Sequence, residues 1–215
     1  WRRRDLKAVQ QVTAFPFDDY LFCGREGAGH LLCAKTGRTL EKPRGVKAVY
    51  ASPFSRHVLV SARTLDVHSP FGTRIARIER TTFAELDCCF SEAEVLISES
   101  GGSLRCFDLA SLELIWTHTP PEGSHFLRLG FSQHSRRFVG LRWHYQNKSD
   151  PERMVHFEPR TGQVSREVVA GEPGDCEFCL AGTAMFTSDL CLMDVGTGSI
   201  IREFAKSDQT NEYAV

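Results

Sequence analysis

The sequence predicts an all-β protein, a β-propeller of about five four-stranded blades. A repeated tight turn is the first observation behind this prediction, and it occurs five times between two extended apolar runs, at residues 33–37, 68–72, 108–112, 158–162 and 194–198. The last positions of successive turns lie 35, 40, 50 and 36 residues apart, and four of the five are Gly. A period near 40 residues, built from short strands and turns, is typical of propeller blades.

The second observation is that each repeat contains four extended pieces. In chain order they are residues 11–17, 20–23, 30–33 and 38–40; 48–52, 57–60, 65–68 and 74–78; 86–90, 95–97, 104–107 and 113–116; 127–131, 137–141, 154–157 and 164–168; and 176–180, 184–187, 191–193 and 200–204. The pieces are rich in Val, Leu, Ile and Phe and are bounded by Gly, Pro, Ser and Asp, as strands are. The second and third pieces are nearly continuously apolar, which is expected of strands covered on both faces. No window of about 11 residues shows a helical apolar stripe.

The predicted organisation follows from these repeats. The five repeats lie near residues 10–45, 46–82, 83–124, 125–174 and 175–205, residues 1–9 form a leading strand or linker, and residues 206–215 form a flexible tail. We expect the five repeats to close as one ring, because no partial repeat follows the fifth. One alternative is that they are part of a larger ring, and another is that they are the propeller part of a longer multidomain protein. The chain begins at Trp1 rather than Met, which leaves that alternative open.

Composition limits the function classes. A chain of 215 residues with 41% hydrophobic content can bury a sizeable core. The net charge of -1, from 26 basic and 27 acidic residues, argues against general binding to nucleic acid or to anionic membranes, since both need a large basic field. No segment approaches the ~20 apolar residues of a membrane span. We expect a monomer that binds a protein partner and no cofactor.

The eight cysteines do not form the pattern of a disulfide framework. Cys88 and Cys89 are adjacent, so their side chains point to opposite faces of a strand. Others lie inside apolar strand-like runs, where cysteine behaves as a small buried hydrophobe, namely Cys23, Cys33, Cys106 and Cys191. Reduced core cysteines favour a cytoplasmic localisation, although a removed signal peptide would also fit a chain that begins at Trp1.

Short motifs carry a resemblance to a known superfamily. Between the first and second pieces the chain reads Ala-Ser-Pro-Phe at 51–54, Phe-Ser-Glu at 90–92 and Phe-Ser-Gln at 131–133. With the Thr-Gly turns at 161–162 and 197–198, this pattern resembles the WD-repeat and YVTN-like propellers over roughly residues 10–205. The Trp-Asp dipeptide that ends the third strand of a WD blade is replaced by Phe107-Asp108, Phe157-Glu158 and Met193-Asp194, and no Gly-His pair opens a repeat. The resemblance implies that partners dock on one loop-bearing face or in the central channel.

On that face the longest connection is residues 142–153, between the second and third pieces of the fourth repeat. Trp, Tyr and Arg are the residues that most often anchor protein interfaces. The predicted partner-binding residues are Arg142, Trp143, His144, Tyr145, Arg153, Arg25 and His125. The alternative is an extended hairpin whose aromatic side chains pack on the neighbouring blade.

Catalytic and metal sites have weaker support in the sequence. Asp87 and Glu177 lie on first strands of different repeats, where two carboxylates facing a channel could act in glycoside cleavage if about 5–9.5 Å apart. Structural hydrogen bonding is the commoner role of such residues. Cys176 and Cys179 have the spacing of half a zinc site, but no second Cys or His pair matches it, and we predict no metal.

The predicted function is therefore that of a non-catalytic β-propeller, a protein-interaction scaffold or sensor module that binds through its loop-bearing face. The alternative is a binder of small ligands or a glycoside-active enzyme that uses the channel.

Overall fold

The computed structural model describes residues 11–15, 19–25, 28–42, 48–55, 58–61, 65–68, 74–78, 87–99, 102–147, 151–171, 176–179, 184–187 and 191–204. These residues form five four-stranded sheets, which we number blade 1 to blade 5 in chain order. Blade 1 is β1 (Gln11–Phe15), β2 (Tyr20–Arg25), β3 (Ala28–Cys33) and β4 (Thr39–Glu41), and blade 2 is β5 (Ala48–Ala51), β6 (Val58–Ser61), β7 (Leu65–His68) and β8 (Arg74–Ile78). Blade 3 is β9 (Cys88–Phe90), β10 (Glu94–Ser98), β11 (Leu104–Asp108) and β12 (Leu114–His118). Blade 4 is β13 (Ser124–Ser132), β14 (Arg137–His144), β15 (Glu152–Phe157) and β16 (Val164–Gly171), and blade 5 is β17 (Cys176–Cys179), β18 (Ala184–Thr187), β19 (Cys191–Asp194) and β20 (Ile200–Glu203).

Within each sheet the strands are neighbours in chain order, as in an up-and-down meander. This arrangement confirms the prediction of five four-stranded sheets, and no helix occurs among the residues described. By its internal contacts the chain divides into two compact units, residues 1–117 and residues 118–215.

The repeated turn has the same geometry in four of its five copies, while the copy at 68–72 lies outside the described residues apart from His68. The amide of the fifth residue donates to the carbonyl of the first at 2.7 to 2.9 Å in all four copies. The fifth residue has a positive φ, 68° at Gly37, 67° at Gly162 and 73° at Gly198. Leu112 holds this position in blade 3 at φ 61°, a conformation that costs a non-glycine residue about 1–2 kcal/mol. Its side chain packs against the buried cluster of blade 3, which offsets part of that cost.

The first residue of the turn supplies a second acceptor. Asp194 Oδ1 accepts the amide of Thr197 at 2.6 Å and its hydroxyl at 2.8 Å. Asp108 Oδ1 accepts the amides of Ala110 and Ser111, both at 2.9 Å. In blade 1 the same position is Cys33, and the hydrogen bond from Thr36 lowers the pKa of its thiol. One side-chain role is thus filled by a carboxylate in two blades and by a thiol in another.

In three blades a serine at the end of the first strand holds the turn to the second strand. It follows Phe in blades 3 and 4, the Phe-Ser motif, and Ala in blade 2. Ser91 Oγ accepts the amide of Glu94 at 2.8 Å, and Ser91 also contacts the carboxylate of Glu94. Ser52 Oγ accepts the amide of Phe54 at 3.2 Å, and Ser132 Oγ accepts the amide of Ser135 at 3.3 Å. All three serines are buried. The motif that carried the resemblance therefore has a structural role.

The buried cores lie between neighbouring sheets. In residues 1–117, Phe15, Phe22 and Leu31 of blade 1 pack with Val49 of blade 2. In residues 118–215, one cluster joins blades 4 and 5 and contains Val139, Leu141, Met154, Ala170, Met185, Met193 and Val195. Burying both faces of the middle strands explains why their sequences are nearly continuously apolar.

Six cysteines have described side chains, and all six are free thiols. Cys23, Cys88, Cys89 and Cys106 are buried, whereas Cys33 and Cys191 are half-buried. Burial raises the pKa of the Cys88 and Cys89 thiols well above the ordinary value, and the nearby Asp87 carboxylate adds to this shift. These two cysteines therefore stay protonated and serve as packing residues. In the described part of the chain, no helix has the length and apolarity needed to cross a membrane.

Protonation of His156 is expected to make the stability of the protein depend on pH. This residue is buried, and its Nε2–H donates to the carbonyl of Val195 at 3.1 Å. Burial lowers the pKa of His156, and although the bond to Val195 opposes this effect, the charges of Arg166 and Arg137 reinforce it. The unfolded chain then binds the proton more readily than the folded chain. We expect the free energy of unfolding to fall as pH drops below about 6.5, the ordinary value for histidine.

The measurement is urea unfolding of the wild type and of His156→Gln between pH 7.5 and pH 5. Glutamine keeps an N–H donor for the Val195 carbonyl and does not titrate. The variant should lose less stability on acidification than the wild type does. Equal losses in the two proteins would show that His156 does not contribute to the pH dependence.

Candidate functional site: an aromatic surface on blade 4

Three aromatic side chains meet on one face of blade 4. His125 on β13 pairs directly opposite Trp143 on β14, and Tyr145 lies two positions further along the chain. The ring centroids of His125 and Trp143 are 5.1 Å apart at an interplanar angle of 85°, an edge-to-face contact. The Tyr145 ring lies 5.7 Å from that of His125 and 6.4 Å from that of Trp143. We call His125, Trp143 and Tyr145 the aromatic surface.

The aromatic surface is only partly covered. Tyr145 is 48% exposed, while His125 and Trp143 are half-buried. Burial lowers the pKa of His125, so its imidazole is neutral at pH 7. The surface therefore carries apolar ring area next to polar ring atoms and no fixed charge of its own.

Strand β13 is longer than predicted, and this extension creates the surface. The sequence predicted a strand at 127–131, whereas β13 begins at Ser124. Ser124 Oγ donates to the carbonyl of Pro121 at 2.6 Å, and Tyr145 N donates to the carbonyl of Gly123 at 2.8 Å. The first bond fixes the turn that precedes β13, and the second continues the β13–β14 pairing beyond Ser124, so His125 lies opposite Trp143.

The end of this hairpin is held tightly. Gly123 has φ 78°, and a side chain there would meet Gln146 at 2.7 Å and His144 at 2.9 Å. The amide of Asn147 donates to His144 Nδ1 at 3.0 Å. His144 thus holds the start of the 144–147 turn through its Nδ1. Residues 148–150 of this connection lie outside the described residues.

Arg142 lies on the opposite face of β14 from Trp143, because adjacent residues of a strand alternate. Its guanidinium makes two parallel hydrogen bonds to the Glu167 carboxylate, at 3.1 and 3.0 Å. The Arg142 side chain is only 14% exposed, so this bidentate pair takes up much of its hydrogen-bonding capacity within blade 4. Sequence reasoning did not find Glu167, because the contact spans β15 and no local spacing signals it.

Two further predicted interface residues lie on strands β15 and β2. Arg153 on β15 pairs opposite Arg142 and is half-buried. Arg25 ends β2 in blade 1 opposite Ala28, and its side chain lies outside the described residues. Within blade 4, which carries six of the predicted partner-binding residues, the structure brings together the rings of His125, Trp143 and Tyr145.

Asp87 supports the start of β9. Its Oδ1 accepts the amide of Cys88 at 3.0 Å, while its own amide donates to Ser98 Oγ at 3.1 Å. Glu177 lies in β17 opposite Phe186, and its side chain is outside the described residues, so the proposed carboxylate pair stays a prediction. The side chains of Cys176 and Cys179 also lie outside them. Among the side chains described, no three His, Cys, Asp or Glu residues are grouped as metal ligands.

Comparison with known proteins identifies the fold. No protein-family model matches the chain, and no curated protein matches its sequence. Solved propeller structures do match. The WD40 domain of Neurospora crassa Pan2 superposes with a TM-score of 0.64 at 11% identity over 90% of this chain, and Kluyveromyces lactis Hsv2p with a TM-score of 0.60 at 13% identity over 87%. Kluyveromyces marxianus Hsv2 gives a TM-score of 0.58 at 16% identity over 87% of this chain.

The match covers 64%, 62% and 63% of those three chains, so this chain spans less than two thirds of their length. At these identities the likeness concerns the fold and not the function. Three features of this chain agree with the propeller fold. They are the five four-stranded meanders, the residue of positive φ that ends the repeated turn, and the buried serine after the first strand. The chain has the all-β fold of a β-propeller, and it is similar in structure to the WD40 domain of Pan2 and to Hsv2.

Proposed function

We propose that this propeller is a protein-interaction module and that the aromatic surface of blade 4 contacts the partner. The observation that carries the proposal is the contiguity of three rings, with Tyr145 half exposed beside His125 and Trp143. Aromatic anchors bury much apolar area while losing little side-chain entropy, which is why they dominate binding energies at interfaces.

The rigidity of the hairpin supports the same role. His125 and Trp143 are fixed by strand pairing, and the backbone of Tyr145 is held by its bond to Gly123. A surface that is already ordered pays less conformational entropy on binding. The phenol hydroxyl of Tyr145 and the indole N–H of Trp143 would supply directional hydrogen bonds at an otherwise apolar contact.

Because the imidazole of His125 is neutral, the aromatic surface favours an uncharged side chain of the partner. With no fixed charge on the three rings, the partner contact would be an apolar or aromatic side chain with polar atoms at its edge. Charged residues at the centre of an interface are disfavoured unless they are paired. Arg142 is already paired with Glu167 and would act only at the margin.

The test is affinity capture from cell lysate, with the purified wild-type chain and the double variant Trp143→Ala/Tyr145→Ala as parallel baits. We expect proteins retained by the wild type to be lost by this double variant, because it removes two of the three rings. The matched control is Val164→Ala/Val169→Ala, which trims two exposed apolar residues of β16 in the same blade. Circular dichroism and urea unfolding must show that both variants fold.

Retention by the wild type and by the β16 control, with loss in the aromatic variant, supports the proposal. Equal retention by all three folded proteins would exclude the aromatic surface as the binding site. A partner lost only in the β16 control would move the site to the outer strand of blade 4.

A further inference from the structure

Blade 4 shows how one blade of this protein packs on the next. Val139 of β14 is fully buried, and it lies in the cluster that contains Met185 and Met193 of blade 5. Val168 of β16 packs against the same cluster. On the strand between them, His156 donates to the carbonyl of Val195 in blade 5. Positions on the second, third and fourth strands thus form the contact face toward the following blade.

The strand registers identify the equivalent positions in blade 5. Val139 pairs with His156 in blade 4, and Phe186 pairs with Leu192 in blade 5. The following turns, 158–162 and 194–198, align residue for residue, so Val168 corresponds to Phe204. The blade 5 counterparts of Val139, His156 and Val168 are therefore Phe186, Leu192 and Phe204, which we call the trailing face.

Blade 1 provides an independent check of this correspondence. Phe22 pairs with Leu31, and both correspond by register to Phe186 and Leu192. Phe22 is only 2% exposed because it packs, together with Leu31, in a cluster with Val49 of blade 2. The same Phe and Leu combination is thus buried by a following blade in one part of the chain.

In blade 5 the two phenylalanines of the trailing face are exposed, while Leu192 is half-buried. Phe186 is 38% exposed and Phe204 is 41% exposed, although their rings contact each other edge-on with centroids 5.8 Å apart. Arg202 lies over the Phe204 ring at 5.1 Å, which gives the face one cationic edge. The position of Phe186 is buried in blades 1 and 4, and that of Phe204 is partly buried in blade 4, so the exposed pair in blade 5 indicates a contact surface.

We infer that the trailing face of blade 5 is a docking surface for a further propeller blade, supplied by polypeptide outside these 215 residues. The fitting occupant is a four-stranded antiparallel sheet that presents apolar residues on its two middle strands. Blade 5 presents such residues, Met185 and Met193, to blade 4. The solved propellers that share this fold are longer than this chain, so blades beyond five are compatible with it.

The chain itself supplies a probe for this surface. A second copy of residues 172–204 is appended after residue 204, so that its own Met185 and Met193 equivalents face the trailing face. The control appends the same copy with Met185→Glu and Met193→Glu in the added segment only. Both versions of the added copy carry Leu in place of their own Phe186 and Phe204, so the peptides of the two blades differ in mass. Hydroxyl-radical footprinting with mass spectrometry then measures oxidation of Phe186 and Phe204 in the original blade 5, with Phe22 and Phe138 as buried references.

We expect the added blade to lower oxidation of Phe186 and Phe204 roughly ten-fold, because close-packed interfaces leave side chains only a few per cent exposed. The Glu-bearing copy should leave both residues as reactive as in the 215-residue chain. Protection of Phe22 and Phe138 in every sample confirms that the original blades remain folded.

Three results would overturn the inference. The residues could already be protected in the 215-residue chain at all concentrations, which would mean that the chain covers its own trailing face. Protection that grows with protein concentration would instead identify a second copy as the occupant. No protection by the added blade, with the reference residues still buried, would show that the face does not accept a propeller blade.

Discussion

Replacing Phe157 with Ala is expected to lower the free energy of unfolding by about 3–5 kcal/mol, the range for emptying a buried phenylalanine site. Phe157 is fully buried at the end of β15, where it pairs opposite Phe138. Its ring contacts Phe126 edge-on with centroids 5.7 Å apart and His118 at 4.9 Å. Because rigid strands hold these neighbours, they cannot collapse into the space, and the cavity term adds to the lost burial.

Urea unfolding followed by circular dichroism measures this loss. The matched control is Phe186→Ala, which removes the same side chain from a 38% exposed site in blade 5 and should cost about 1 kcal/mol, as partial burial implies. A loss for Phe157→Ala no larger than that of the control would contradict the packing described for blade 4. Phe157→Leu, which retains most of the volume, should fall between the two.

Gly198→Ala is expected to cost about 2–4 kcal/mol, the sum of backbone strain and steric overlap. Gly198 ends the repeated turn of blade 5 at φ 73°, a conformation that L-residues avoid. A Cβ at this position would lie 2.5 Å from the carbonyl oxygen of Val169 and 2.7 Å from Val168 Cγ1. The clash is with backbone of blade 4, so no side-chain rotation can relieve it.

Gly162→Ala serves as the control, since Gly162 occupies the same turn position in blade 4 at φ 67°. That substitution reports the cost of backbone strain at the same place in the turn. The difference in urea midpoint between the two variants then measures the contact between Gly198 and Val169. If the two alanine variants were equally stable, the steric overlap between residue 198 and the Val169 carbonyl would not contribute to the loss of stability.

Local features of this protein could be predicted from sequence because short-range chemistry controls them. The turn at 194–198 is determined within five residues, since Asp194 accepts hydrogen bonds from Thr197 and Gly198 permits a positive φ. The strands follow from short apolar runs bounded by Gly, Pro, Ser and Asp, and the turns after the first strands follow from a serine that caps its own chain. Leu112 shows the limit, because its left-handed conformation depends on packing against blade 3 and carries no glycine signal.

For the candidate site, the sequence predicted which residues belong to it but not that their side chains contact one another. Trp143, Tyr145 and His125 stood out by residue type, but their contact depends on β13 beginning at Ser124. That start depends on hydrogen bonds to Pro121 and Gly123, which no apolar periodicity indicates. Arg142 looked equivalent to its neighbours in sequence, yet strand alternation and Glu167 turn it to the other face.

The sequence by itself determined the class of fold, the number of four-stranded sheets and the positions of the turns, because each is encoded within a few consecutive residues. Only the tertiary structure decided which side chains meet. Strand register pairs His125 with Trp143 across 18 positions, and side-chain hydrogen bonds join Arg142 to Glu167 across 25. Packing between sheets buries Val139 while leaving its counterpart Phe186 exposed. Contacts between residues so far apart in sequence depend on the register of strands and the packing of sheets, which the conformational preferences of short segments do not determine.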